Sequence, residues 1–390
     1  MVIRARLLVS LALLLAGGAG AQTPHADHGT RPALGASAAF DANGRLWAVH
    51  VDDEHVRLSV SDDQGVSWHA AGTVNGDPEA IAAGGDNRPK LVFDTAGRMH
   101  VSWTHPLAMP YAGEIRIASA AAAGEAFSAP LTVHRDRQQI THRFDALTAA
   151  RNGELVVAWI DKRDLEAARA QGDDYRGAAI YYAVSRDGGR SFEPERLLAA
   201  HSCECCRIAL APKHDGHVQA LWRHVFAPNV RDHATATIAL DGKERPMTRA
   251  TRDEWALDAC PHHGPSMVED RTGRLHAVWF TGAPGREGAY YGRLGGNGMA
   301  AVARLPDARA AHADLAVSDM TVVLAWKRFD GHATELRTMR SQDGGDTWGE
   351  AITLARTVDA SGQPFVLVDA GRFHVFWHGR EFPLGTWRLP

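Results

Sequence analysis

The chain holds four cysteines in 390 residues, and three of them crowd into "HSCECCR" at 201–207, as Cys203, Cys205 and Cys206. The fourth, Cys260, stands in "DACPHHGP" beside His262 and His263. Thiolate with imidazole suits soft or borderline cations, copper(I) first and zinc(II) second. A C-x-C-C tract followed by C-P-H-H offers three or four ligands, although the spacing is that of neither a zinc finger nor a zinc ribbon. In an oxidising compartment the same four residues equally allow disulfides. Those would be Cys203–Cys260 with a Cys205–Cys206 link, or a cross-loop bond using one of the vicinal pair. A vicinal link is strained. Thiol redox chemistry is the third reading. A shared site requires that the two loops meet, which only the fold can decide.

The compartment is suggested by the N-terminus, "MVIRARLLVSLALLLAGGAGAQTP". Two arginines, a short apolar run and a small-residue stretch have the layout of a secretory signal peptide over 1–21, too short for a spanning helix. The expectation is an exported bacterial protein of the periplasm, with residues 22–390 forming one domain. A net charge of −4, without basic blocks, argues against nucleic acid or a membrane surface as partner.

One template recurs seven times: a turn, a glycine and alternating apolar residues that usually end in tryptophan. It reads "NGRLWAVH" to His50, "AGRMHVSW" to Trp103, "NGELVVAW" to Trp159 and "DGHVQALW" to Trp222. It continues as "TGRLHAVW" to Trp279, "MTVVLAW" to Trp326 and "AGRFHVFW" to Trp377. Period-two alternation marks each copy as a strand with one buried face, and short apolar strands precede and follow it. Sustained helical periodicity is missing; "DLEAARAQ" offers one or two turns inside a loop. The pattern predicts an all-β protein, a β-propeller of four-stranded antiparallel blades. Seven blades are expected, six being the alternative. The last repeat lacks an outer strand, and residues 24–34 are expected to supply it.

Three turns share S-x-D-x-G-x-[ST]-aromatic: "SDDQGVSW", "SRDGGRSF" and "SQDGGDTW". Asp63, Asp187 and Asp343 can accept hydrogen bonds from the turn amides, and the glycine tolerates positive φ. These turns resemble the Asp-boxes of the sialidase-like, or BNR-repeat, superfamily. That resemblance implies a structural role for them, joining the third and fourth strands of a blade. Over nearly the whole chain it extends to exported bacterial members that pair a C-x-C-C loop with a C-P-x-x-G-P loop and are often labelled exo-α-sialidases. For a sialidase, the resemblance implies three arginines that hold a carboxylate, a Tyr/Glu nucleophile pair and an acid–base aspartate. Arg88 in "NRPK", Arg143 in "THRFD" and Arg207 are the arginine candidates. Tyr290 and Tyr291 in "GAYYGR" have no evident glutamate beside them, and a tyrosine without a base is a weak nucleophile at neutral pH.

With strands A to D running outward, the D–A and B–C connections share one face and the A–B and C–D turns the other. Both cysteine loops are D–A connections of neighbouring blades, so they should meet at the propeller mouth. The same face collects His312, Arg163, Asp164, His224, Lys327, Arg328 and His378. It adds His105 and Met109 as further metal-ligand candidates, and Asp161 and Arg223 beside the three arginines as ligand-binding candidates. His100, His276 and His374 are expected on blade surfaces. The reading is a periplasmic sialidase-like propeller with a Cys/His site for copper or another thiophilic ion. The alternative is a glycan-acting hydrolase or lectin using the arginine-rich mouth, with the cysteines as structural disulfides. A scaffold for protein partners is the third possibility.

Overall fold

Each alternating repeat forms the second strand of an antiparallel sheet, and the short apolar segment before it forms the first. Seven such sheets follow one another in a computed structural model that describes residues 34–243 and 245–390. The first six have four strands. The seventh has three among the described residues: Phe365–Asp369, Arg372–Trp377 and Gly385–Arg388. The expected signal segment, and nearly all of the 24–34 segment expected to complete that blade, lie outside the described residues. Innermost strands touch those of the blades on either side, and Ala36–Phe40 of blade one meets Phe365–Asp369 of blade seven. The ring therefore closes with seven blades, not six.

The core lies between blades rather than within one sheet. Trp103, Trp159, Trp222, Trp326 and Trp377 are each less than 2 % exposed. Burial of an aromatic of this size contributes on the order of 3 kcal/mol. Four of the repeat tryptophans donate their indole N–H to a carboxylate, as Trp103 does to Glu79 (2.8 Å) and Trp159 to Asp161 (2.9 Å). Face-to-face packing also explains a departure from expectation. His100, His276 and His374 are fully buried instead of lying on blade surfaces. Both faces of a second strand meet a neighbouring blade, so alternation does not leave one face wet. His100 bonds Asp94 (3.2 Å) and Ser119 (2.7 Å), and His276 repeats the arrangement with Asp270 (3.1 Å) and Tyr291 (2.7 Å).

The three S-x-D-x-G turns join third to fourth strands on the face opposite the cysteine loops. Asp63 accepts the Ser67 amide (2.8 Å) and hydroxyl (2.6 Å), and Asp187 and Asp343 do the same with Ser191 and Thr347. Gly345, at φ 91°, presses so closely on Tyr291 of blade five that a methyl group there would overlap the ring. Within the blade-three loop one helix forms, Arg163–Gln171, and Gly172 ends it at φ 78°. Among the described residues no helix is long and apolar enough to cross a membrane.

Candidate metal centre

The fourth strand of blade three (Arg196–Ser202) ends where the chain turns inward to blade four, whose first strand is Ala209–Pro212. Ser202 bridges His224, and the Cys203 amide donates to the Arg223 carbonyl at 2.9 Å. This pins the C-x-C-C turn against the end of the blade-four second strand (Val218–Arg223). Cys203, Cys205 and Cys206 are 1 %, 4 % and 2 % exposed, in the apolar core between blades three and four with Phe144, Ile160, Ile180 and Trp222. Their sulfurs form a triangle with sides of 3.7 Å (203–205), 3.6 Å (203–206) and 4.0 Å (205–206). Cys260 approaches them from the connection between blades four and five, where it is exposed and has Cys205 as its neighbour. The two loops do meet.

All four cysteines are free thiols, which corrects the disulfide expectation. The nearest sulfurs stand at nearly twice the length of an S–S bond, about 2.05 Å.

Two arginines hold the loops together. Arg223, 1 % exposed, donates to the carbonyls of Arg231 (2.8 Å), His263 (2.9 Å) and Phe280 (2.7 Å) and lies over the Trp255 ring. Arg231 donates to the Leu257 carbonyl (3.0 Å) and to the Cys203 sulfur (3.5 Å). Thiol donation from Cys205 and Cys206, helped by the two guanidinium charges, holds the Cys203 thiol well below its ordinary range. The thiol of Cys205 is pushed up by its bonds to Cys203, Cys206 and Cys260, and that of Cys206 by burial. A buried three-sulfur cluster without a cation resists gathering more than one negative charge, so easing ionisation at one sulfur goes with hindering it at the other two.

The triangle fits a metal. A point in its plane equidistant from the three sulfurs lies about 2.2 Å from each, a coordination distance rather than a void. The edge expected of a tetrahedral zinc–thiolate site, with Zn–S near 2.3 Å, is about 3.8 Å. Both geometries match. Among the described residues, Cys203, Cys205 and Cys206 are the group whose ligand atoms all lie within 4.8 Å of one another.

Other candidates are placed differently. His263 stacks on Phe280 (4.1 Å) and His312 (4.6 Å), its Nδ1 buried without a hydrogen-bond partner and its pKa pushed down to about 4 by burial. It faces the channel rather than joining the sulfur group; His262 is half-buried beside it. His105, two blades from the C-x-C-C loop, bonds the Ala80 carbonyl (2.8 Å) and Glu79 (3.3 Å), and Met109 is exposed. Asp161 is bound to Trp159 and Arg163, the latter through both oxygens.

Arg207 spans the channel. It donates to Pro265 O (2.7 Å) of blade five, Ala313 O (2.6 Å) of blade six and Gln363 Oε1 (3.2 Å) before blade seven. Asp86, on the connection into blade two, stands 3.6 Å away. Burial opposes ionisation of Asp86, but Arg207, His312 and Arg88 outweigh it and hold the carboxyl below its usual range. Arg88 lies over the Phe365 ring (4.1 Å) and donates to Ser37 (3.2 Å), leaving Nη1 buried and unpartnered. Arg143 packs on Phe144 with its Nε in the same condition. Tyr291 is buried against His276 and Gly344, and Tyr290 donates to Arg286 O (2.9 Å). Sequence reasoning missed Asp86, Arg231 and Gln363. Asp86 stands two residues before Arg88 in "GGDNRPK", but neither it nor Arg231 carries a motif of its own.

No protein-family model and no curated protein sequence matches the chain. Solved structures do. A polysaccharide lyase, ulvan lyase bound to -[GlcA(1-4)Rha3S]-, superposes with a TM-score of 0.54 at 13 % identity over 90 % of both chains. The α-L-arabinanase of Penicillium chrysogenum complexed with arabinobiose gives 0.51 at 13 % identity, over 76 % of this chain and 88 % of that one. A Hadza microbial sialidase gives 0.50 at 12 % identity, over 84 % and 72 %. At these identities the likeness is one of fold.

Proposed function

We propose that this protein binds one thiophilic metal ion, copper(I) in preference to zinc(II), through Cys203, Cys205 and Cys206, with Cys260 at the rim, and that it does so as an exported periplasmic protein. The observation that carries the reading is the buried triangle of three unbonded sulfurs with sides of 3.6–4.0 Å. Among the described residues no carboxylate or imidazole shares that triangle, so the donor set is soft throughout, and soft thiolates select Cu(I). Arg223 and Arg231 beside Cys203 offset the negative charge that three thiolates around a monovalent ion would carry. His262 and His263 belong to the loop that brings Cys260 to the site.

The test is anaerobic titration of the reduced protein with Cu(I) and with Zn(II), alongside elemental analysis and thiol counting of protein isolated from the periplasm. One equivalent of Cu(I), lost in Cys203→Ser, is expected. Two disulfides and no metal uptake after reduction would refute it.

A second reading is glycan binding at the mouth, favoured by the unpartnered N–H groups of Arg88 and Arg143 and by the sugar-acting proteins among the structural neighbours. Arg207, tied to three other blades, and Tyr291, buried away from the mouth, leave the sialidase machinery incomplete. Binding of an acidic oligosaccharide without its hydrolysis is therefore the expected form of that activity. Arg88→Ala should abolish it.

A further inference from the structure

We infer that Cys260 is the exchange ligand of this centre: it takes the cation from a donor at the rim, passes it inward to Cys205 and on to Cys203 and Cys206, and returns it by the same route to a thiol-bearing acceptor. The inference rests on the metal reading above and adds transport of the ion to it. Three observations support it.

First, the four thiols are not equivalent. Cys203, Cys205 and Cys206 are at most 4 % exposed, whereas Cys260 is open to solvent. An ion held by the first three is out of reach of any acceptor unless a fourth group carries it across the surface.

Second, the holding set is complete without Cys260, which lies outside the group of mutually close sulfurs but is carried by a loop that Arg223 and Arg231 fasten beside the triangle, with Cys205 as its neighbour there. A ligand beside one member of the triangle is what sequential transfer needs. A ligand shared by all three would instead lock the ion in place.

Third, the backbone of the segment carrying Cys260 is clamped near its two ends by arginine side chains. Arg231 clamps the Leu257 carbonyl, and Arg223 and Arg207 clamp those of His263 and Pro265. Residues 257–265 belong to no strand, and among the described residues they make no backbone–backbone hydrogen bond of their own. Few backbone bonds make local displacement inexpensive. Cys260 sits between the clamps.

The transfer balances without any redox change. A donor thiolate holds Cu(I). As the Cys260 sulfur bonds the ion its proton goes to solvent, and the donor sulfur leaves and takes up a proton. Bonds to Cys205 and Cys206 then form with release of the protons those two thiols hold, and Cys203, the most readily ionised of the three, joins as its thiolate. The bond to Cys260 breaks, and Cys260 is reprotonated. Release is the reverse, with the acceptor thiolate displacing Cys205 from the ion held at Cys260.

The experiment follows Cu(I) exchange with bathocuproine disulfonate by stopped-flow absorbance, for the wild-type protein, Cys260→Ser and Cys260→Ala. Equilibrium competition with the same chelator measures stoichiometry and affinity. Both variants should still bind one Cu(I), with affinity lowered by no more than the roughly 10–100-fold that losing an outer-sphere partner costs. Uptake and release should both slow by about tenfold or more. Unchanged rates would overturn the inference. So would loss of the bound ion in the variants, since Cys260 would then be a holding ligand. If the wild-type protein takes up no Cu(I), the metal reading itself fails, and equilibrium titration shows this before any kinetics are run.

Discussion

Replacement of Arg207 by methionine tests whether the propeller mouth is a closed structural joint. The guanidinium starts on blade four and bonds acceptors of blades five and six and the approach to blade seven, beside the buried carboxylate of Asp86. Methionine keeps most of the stem volume and removes every side-chain donor, leaving only the backbone amide of residue 207 on Asp86 (3.4 Å). Breaking a buried ion pair from one side costs about 3–5 kcal/mol, because the other charge stays buried without its partner. Unfolding entropy of about 2.1 cal/mol/K per residue, taken over the seven blades, converts that to a fall in Tm of roughly 4–7 °C. Adding Asp86→Asn removes the stranded charge. The double variant should therefore recover about 1–3 kcal/mol relative to Arg207→Met alone. Differential scanning calorimetry of the four proteins completes the cycle. A shift below about 1 °C for Arg207→Met, or strict additivity of the two substitutions, would refute the argument that Arg207 is committed to the ring.

Acid should weaken the fold in a defined window. His134 and His224 are buried, and burial pushes each pKa down to about 4. The unfolded chain binds their protons below about pH 6.5 and the folded protein does not, so this stability is intact above pH 6.5 and is lost as pH falls toward 4. At pH 5 the loss is about 2 kcal/mol for each histidine. Urea unfolding at pH 7.5 and pH 5 measures it, and a flat profile would count against it. Asp187→Ala removes the acceptor of the Ser191 amide and hydroxyl, the Arg190 amide and the Ser185 hydroxyl. Loss of such a capping acceptor should cost about 1–2 kcal/mol and leave Cu(I) stoichiometry untouched, as read by thermal unfolding and chelator competition. Because Cys205 and Cys206 are held as thiols, uptake of one ion at pH 7 should release about two protons, measurable in a pH-stat. Release of none would mean that those sulfurs do not bind.

The blade repeat was legible because a strand has period two and each copy ends on a large aromatic that must be buried. From that ring, the convergence of the C-x-C-C and C-P-H-H loops followed by connectivity alone. What stayed hidden depended on distances rather than order. Spacing cannot tell that Cys203, Cys205 and Cys206 all turn inward while Cys260 stays at the rim, since alternation in an extended segment would send Cys206 the other way. The turn after Ser202 overrides that rule. His100, His276 and His374 were misjudged because a two-faced strand pattern reads as half-wet in an isolated sheet, and here both faces pack on blades. Arg207 resembled a substrate-binding arginine in sequence; its length lets it cross the channel and bond backbone carbonyls that no motif reveals.

The arrangement of the sulfurs also favours the proposed metal site over a staple. All three close pairs lie inside one four-residue stretch, Cys203 to Cys206. A disulfide between any of them would close a loop of a few residues, and the stabilisation from such a bond falls with the size of the loop it closes. It would tie no blade to another and would leave an odd thiol buried in the apolar core. A bond from Cys260 would join blades four and five, but Arg223 already makes that connection through two carbonyl hydrogen bonds from a fully buried side chain. What remains unbalanced without a ligand is electrostatic: the Cys203 thiol is held well below its ordinary range while those of Cys205 and Cys206 beside it are pushed up, and two arginines face the group. A soft cation lets all three sulfurs deprotonate and leaves their summed charge opposite Arg223 and Arg231. No covalent link among these cysteines does both.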